Sequence, residues 1–287
     1  MIKKLLALIT AVIMSASVSA ADKTFTFLIP WGGGTNDQNI AELLTPGLKQ
    51  LGWDTSIVLY NGNCAAMVQD LKNTKKPTLA VWANRDHLLP PEHECYLAPP
   101  TPQNMISIWY YAPDYLCAVG KTAPDAIFTT PGTYRISVQA FPGTLNWVVD
   151  AIRAASPGTV KTVIYSGSGA QIRAAAARET EYVLGTSGKV IERNGQATCT
   201  HNTGPTELLG TRPLGEINHS VMNYYMMVYA ASKNMPAELQ TELRADMMRL
   251  LQTQPLQEYF KTRQFMTSIS TASADEQVNF LLKSIRK

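Results

Sequence analysis

The chain has 287 residues, with 25 Lys and Arg against 22 Asp and Glu, and four cysteines. Hydrophobic residues make up 45% and charged residues 16%, below the ~25% charged of ordinary soluble domains, which excludes a disordered chain. A formal charge of +3 lacks the clustered Lys and Arg that phosphate binding requires, so nucleic acid is not an expected partner.

Lys3 and Lys4 precede a run, Leu5 to Met14, whose one polar residue is Thr10, and small residues then lead to Val18-Ser19-Ala20. That pattern predicts a secretory leader over residues 1–20, cut after Ala20. The run is half the ~20 apolar residues that a membrane-spanning helix needs. The expected mature chain keeps 23 basic and 22 acidic residues, a balance of +1. Export implies an oxidising compartment, so Cys64, Cys95, Cys117 and Cys199 read as disulfides. Their spacing matches neither a zinc ribbon nor a CxxC redox motif, and four cysteines leave three pairings open.

Short apolar runs alternate with helical periodicity. Thr24–Pro30 predicts a strand. Ile40, Leu43, Leu44, Leu48 and Leu51 then recur at helical spacing up to Gly52. Ser56–Tyr60 predicts a strand, Ala65–Leu71 a helix and Thr78–Ala83 a third strand, which together mean crossover units and a parallel sheet. Leu88 to Gln103 carries Pro90, Pro91, Pro99, Pro100 and Pro102 and reads as an irregular excursion. Strands are expected at Met105–Tyr111 and Tyr115–Val119. A second unit follows, with strands at Tyr134–Val138, Thr162–Tyr165 and Tyr182–Leu184 and helices at Leu145–Ala155 and Ala170–Arg178. Thr198–Thr200 and Tyr224–Ala230 are further apolar stretches. The C-terminal part is helical, with Pro236 at a first turn and a capping box at Ser273-Ala-Asp-Glu276.

The first strand runs through Pro30-Trp31-Gly32-Gly33-Gly34-Thr35-Asn36-Asp37 into a helix. Glycines admit close approach of a ligand to the backbone, and a helix N-terminus favours an anion. The plainer alternative is a tight turn capped by Asn36 or Asp37. Neither nucleotide-binding glycine motif fits. In the second unit, Phe141-Pro142-Gly143-Thr144 and Tyr165-Ser166-Gly167-Ser168-Gly169 precede helices in the same way. Together these loops describe two lobes aiming helix N-termini at a common point. His87 and His93, with Glu92, Glu94 and Cys95, lie in the Pro-rich excursion without helical spacing and read as polar residues on the surface rather than a metal site. Ser166 and Ser168 lack the G-x-S-x-G elbow of a hydrolase, and no nucleophile–base–acid set assembles from the four histidines. A non-enzymatic binding module is expected; an exported α/β hydrolase is the weaker alternative.

The segments LIPWGGGTND…LLTPGLKQLGW, VLYNGN, ISVQAFPGT, VIYSGSGAQIRAAAARETEYVLGTS and IERNGQA, in that order, resemble the Bug-type substrate-binding proteins of tripartite tricarboxylate transporters. So does the C-terminal NMPAELQTELRADMMRLLQTQPLQEYF. The resemblance implies an α/β type II periplasmic binding protein fold, two lobes joined by two crossing strands with the ligand cleft between them. It places residues 21–117 and 200–287 in the first lobe and 118–199 in the second. It implies a periplasmic monomer without cofactor or metal that traps a small organic anion: a di- or tricarboxylate, an aromatic acid or an amino acid. The expected partners are a transporter's membrane subunits, or a receptor if the protein senses rather than transports.

Carried over residue by residue, the ligand set is Trp31, Gly33, Gly34, Thr35, Asn36, Asp37 and Asn61 in the first lobe. In the second it is Phe141, Gly143, Thr144, Ser166, Ser168, Thr186 and Ser187. Trp31 is expected against the ligand's carbon skeleton; Asp37 either caps the first helix or meets a ligand ammonium. The resemblance also implies the pairings Cys64–Cys95, on one edge of the first lobe, and Cys117–Cys199, at the hinge and limiting its motion. The sequence departs from the family pattern at Gly62-Asn63-Cys64-Ala65-Ala66, where a Pro-Gly-Ala-Gly-Gly turn is usual, and at Ser166 and Ala41, where Lys and Arg are usual. The last two changes remove cations.

Overall fold

The computed structural model describes residues 22–139, 146–217 and 225–285. The expected leader, Phe141, Gly143, Thr144, His219 and the start of the Tyr224–Ala230 run lie outside the described residues. In chain order the elements are β1 (Thr24–Ile29), α1 (Asn36–Gln50), β2 (Asp54–Leu59), α2 (Cys64–Asn73), β3 (Thr78–Ala83), a 3-10 turn (Asn84–Leu88), β4 (Met105–Pro113), β5 (Tyr115–Val119), α3 (Ala126–Thr129), β6 (Thr133–Gln139), α4 (Asn146–Ala155), β7 (Thr159–Tyr165), α5 (Ser168–Ala176), β8 (Tyr182–Gly185), α6 (Gly188–Arg193), β9 (Ala197–Asn202), β10 (Arg212–Pro213), a second 3-10 turn (Leu214–Glu216), β11 (Tyr225–Lys233), α7 (Ala237–Leu251), α8 (Gln254–Arg263) and α9 (Ala274–Ile285).

Two sheets form, one per lobe. The first runs β2-β1-β3-β11-β4 and the second β10-β9-β5-β8-β6-β7. β1 pairs in parallel with β2 and β3, and β6 with β7 and β8. In each triplet the second strand lies outside the first and the third inside it. Right-handed crossovers then set the two connecting helices on opposite faces of the sheet, which is how a parallel sheet is covered on both sides. β11 enters antiparallel between β3 and β4. β5 plays the matching part in the second sheet, antiparallel to β8 and β9.

Parallel strands covered on both faces become continuous apolar runs, and β3 (TLAVWA) is buried along its whole length. The first-lobe core includes Phe27, Ile29, Leu44, Trp82 and Trp109, with Phe27 edge-on to Trp109. Trp53 is also buried there, and its indole N–H donates to Asp246 on α7 at 2.8 Å, so its polar edge costs little. The second-lobe core gathers Ile136, Ile152, Tyr182 and Leu184. At α9 the capping box forms as the sequence predicts, Ser273 Oγ accepting from Glu276 N–H while Glu276 accepts from Ser273 N–H.

The chain passes from the first sheet to the second at Pro113-Asp114. There Asp114 N–H donates to Thr203 Oγ1 and Thr203 N–H to the Asp114 carbonyl, extending the β5–β9 ladder into the crossing. The second sheet takes in Tyr115–Val119 and runs on through Arg212–Pro213, so it reaches further into both crossings than the division at residues 117 and 200. Disulfides join Cys64 to Cys95 and Cys117 to Cys199. Cys117 and Cys199 face each other on β5 and β9. Their bond therefore lies inside the second lobe's sheet, a correction to the hinge position expected of it. A Cβ on Gly188 would stand 2.6 Å from Cys117 Sγ, so the start of α6 packs directly on this bond.

Candidate functional site

β1 delivers its chain end to the edge of the sheet facing the second lobe, and the residues that follow make the first half of the site. Thr35 caps α1: its hydroxyl accepts from Gln38 N–H at 3.4 Å, and Gln38 Oε1 reaches back to Gly34 N–H at 2.7 Å. The cap is thus Thr35 and not Asn36 or Asp37, because Thr-x-x-Gln supplies both halves of a reciprocal cap. Asn36 and Asp37 are instead buried in the first turn of α1. Asn36 Oδ1 accepts from the Tyr259 hydroxyl at 3.0 Å, and that hydroxyl accepts from Asn39 Nδ2 at 3.3 Å. Gly34 alone of the three glycines has the left-handed φ (+76°) that resists a side chain.

Asp37 is 3% exposed and accepts from the Tyr110 hydroxyl at 3.0 Å, while Tyr110 stacks on Phe265 at 4.0 Å between centroids. Burial pushes the Asp37 carboxyl up to about 7, against the smaller opposing effects of the Tyr110 hydrogen bond and its own backbone N–H. Trp31, expected against a ligand, is buried in the first-lobe core.

The second lobe supplies the turn between β7 and α5. Its Ser166 carbonyl accepts from Gly32 N–H at 3.4 Å across the cleft. A Cβ on Gly32 would lie 3.3 Å from both that carbonyl and Asn61 Oδ1, so Asn61, Gly32 and Ser166 meet at one point. A Cβ on Gly169 would likewise stand 3.1 Å from the Gly34 carbonyl oxygen. Ser168 opens α5 and is buried there. The first turns of α1 and α5 thus converge, and first-turn N–H groups have no partner within their own helix.

Gln171, on α5, was not singled out in the sequence, yet it organises the second lobe's half. It is fully buried; its amide donates to the Ser137 carbonyl at 3.0 Å and the Leu184 carbonyl at 3.2 Å. Its oxygen accepts from Ser187 Oγ at 2.8 Å and Gln139 Nε2 at 3.2 Å. One carboxamide therefore ties the ends of β6 and β8 to the start of α5 and fixes Ser187, next to buried Thr186. Only a long neutral side chain with both donors and acceptors does this, and a Gln within an Ala-rich helix gives no periodic signal. Asp37 is the one ionisable residue among Trp31–Asp37, Asn61, Ser166–Gly169 and Thr186–Gly188.

The histidines need correction. His87 is buried rather than exposed to solvent: its Nδ1–H donates to the Leu97 carbonyl and its Nε2 accepts from Tyr229, whose ring stacks beside it. Burial lowers its pKa to about 4, so it is neutral. His201, beneath Phe128, is likewise held neutral by burial, near 4. Among the described residues, no three His, Cys, Asp or Glu side chains are placed to hold a metal ion, and no helix is long and apolar enough to cross a membrane.

No protein-family model matches the sequence, and no curated protein sequence matches it. Solved structures do. A structure described as a periplasmic transporter superposes with a TM-score of 0.75 at 14% identity, covering 93% of this chain and 95% of that one. The R. palustris protein Rpa4515, with adipate, gives 0.71 at 13% identity over 93% and 95% of the two chains. The periplasmic binding protein BugD gives 0.71 at 12% identity over 91% and 94%. Similarity this remote in sequence and this complete in structure concerns architecture: the chain has the two-lobed α/β fold of the periplasmic binding proteins.

Proposed function

We propose that this is a divergent Bug-type periplasmic solute-binding protein. It closes its lobes on a small organic carboxylate and presents the closed form to the membrane subunits of a tripartite transporter. One observation carries the reading: the N-termini of α1 and α5 converge from opposite lobes, Gly32 N–H on the Ser166 carbonyl. An anion there meets two positive helix ends and a set of hydroxyl and amide groups. The adipate carried by a protein of the same fold supports the carboxylate class.

With Ser166 and Ala41 where cations are usual, recognition falls to main-chain N–H groups and to Thr35, Ser168, Thr186 and Ser187. The leader expected over residues 1–20 would carry the chain to the periplasm, and the crossings at Pro113-Asp114 and beyond Asn202 are where the lobes would rotate. Binding would select the closed form by contacts made only there.

A thermal-shift panel of di- and tricarboxylates, aromatic acids and amino acids tests the reading. A true ligand at ~100 times its Kd adds about 2.7 kcal/mol to the stability. A panel in which no organic anion shifts the melt while a neutral sugar does would overturn it.

A further inference from the structure

The lobes touch at a second place, away from the glycine loops. Arg193, the last residue of α6 in the second lobe, donates from Nη1 to the carbonyl of Thr262 in the last turn of α8 at 2.6 Å, and α6 packs against α8. The carbonyls in that turn have no partner within the helix and form its negative end. Two of them are satisfied by the chain itself. Gln264, in the left-handed conformation (φ +56°), donates to the Lys261 carbonyl, and Phe265 N–H donates to that of Phe260. The Thr262 carbonyl receives the guanidinium of the other lobe.

Each partner of this contact also holds a ligand loop. α6 follows Thr186 and Ser187 without a break, and its first residue packs on the second-lobe disulfide. α8 carries Tyr259, whose hydroxyl donates to Asn36 in the first turn of α1, one turn before Thr262. The Arg193–Thr262 bond therefore joins the two elements that position the two halves of the cleft. Formed only when the lobes approach, it stabilises the closed form without touching a ligand.

We propose that Arg193 is a positioning residue for ligand capture, a cross-lobe latch that sets the closed population and slows ligand release. The part concerning release rests on the binding function proposed above; the part concerning closure does not. The contact is at the surface, so its effect is moderate, about three- to fivefold on the closed-to-open ratio.

The test is the lobe-to-lobe distance distribution of the full mature chain, read by pulsed electron resonance. Spin labels replace Lys49 on α1 and Lys161 on β7, both exposed. Without added ligand, Arg193→Gln is expected to lower the closed-to-open ratio three- to fivefold and Arg193→Lys to restore part of it. A distribution that Arg193→Gln leaves unchanged, or a wild-type distribution with no closed component, overturns the latch. Adipate is the added probe: closure by adipate that releases faster in Arg193→Gln supports the full proposal. A wild type that no carboxylate closes refutes the binding function and leaves the latch to be judged on the ligand-free distances alone.

Discussion

Gly167 of the second lobe lies so close to Thr35 of the first that a Cβ at Gly167 would stand 2.6 Å from the Thr35 methyl. The Gly167 backbone is extended (φ 165°), so a side chain there meets the opposite lobe and not backbone strain. Glycine at this position is a condition for closing. Gly167→Val is expected to fold normally, with a melting temperature near wild type. Its affinity for the cleft ligand should fall about tenfold or more, since overpacking of one methyl-sized group costs about 1–3 kcal/mol. Isothermal titration with the best carboxylate of the panel decides it; unchanged affinity would show that the lobes do not close on this contact.

Asp37 predicts an unusual pH dependence. Its folded pKa is raised from 3.8 to about 7 by burial, so the folded state prefers the neutral acid. The resulting stability is fully present below about pH 4 and is lost as pH rises to about 7, above which it changes no further. Asn at this position keeps an acceptor for the Tyr110 hydroxyl and never ionises. Asp37→Asn should therefore gain on wild type across that window, by about 4 kcal/mol at pH 8. Urea titrations at pH 4, 6 and 8 measure the gain; a constant difference would mean that the carboxyl is already ionised in the fold.

Gln171→Ala should leave the Ser187 hydroxyl and two buried carbonyls without their partner, costing about 2–4 kcal/mol. Ligand affinity should fall with it, because Ser187 loses its anchor. Gln171→Glu separates the roles: it keeps the acceptor for Ser187 but cannot donate to the Ser137 and Leu184 carbonyls. Affinity should survive the loss of stability in Gln171→Glu, whereas retained affinity in Gln171→Ala would remove Ser187 from the ligand set.

Replacing Cys117 and Cys199 together by Ala opens a loop of 82 residues and should cost about 4 kcal/mol on chain-entropy grounds. Both cysteines sit on neighbouring strands of one sheet, so lobe-to-lobe distances should not change. A wider closed-state distance in the double variant would return this bond to a role in hinge motion.

The alternation of strands and helices was legible because parallel strands buried on both faces are short apolar runs, and Thr78–Ala83 and Tyr115–Val119 stand where periodicity places them. The glycine loop is legible in the sequence as a strand-to-helix turn, but its capping residue is not. Thr35, Asn36 and Asp37 are all good capping residues, and only the Gln38 side chain folding back on Gly34 separates them. Buried His87 was hidden by its proline-rich surroundings: its partners, Leu97 and Tyr229, come from distant parts of the chain. Gln171 and Tyr259 escaped for the same reason, since their value lies in reaching several elements at once. The cysteine pairing needed a fold before it could be chosen, and the placing of Cys117 and Cys199 at a hinge failed because β5 belongs wholly to the second sheet.

β11 lies between β3 and β4 although more than a hundred residues separate it from either. During synthesis, β3 and β4 emerge early and have facing edges with no strand between them until residues 225–233 arrive. Open edges of apolar strands are templates for pairing with another chain. The second lobe, being continuous in sequence, can complete its sheet first, and the first lobe then closes around the late strand by long-range pairing, a slow step. A chain stopped short of residue 225 would keep a finished second lobe and an aggregation-prone first one, so the last quarter of the sequence serves as the seal on the edge exposed by the first.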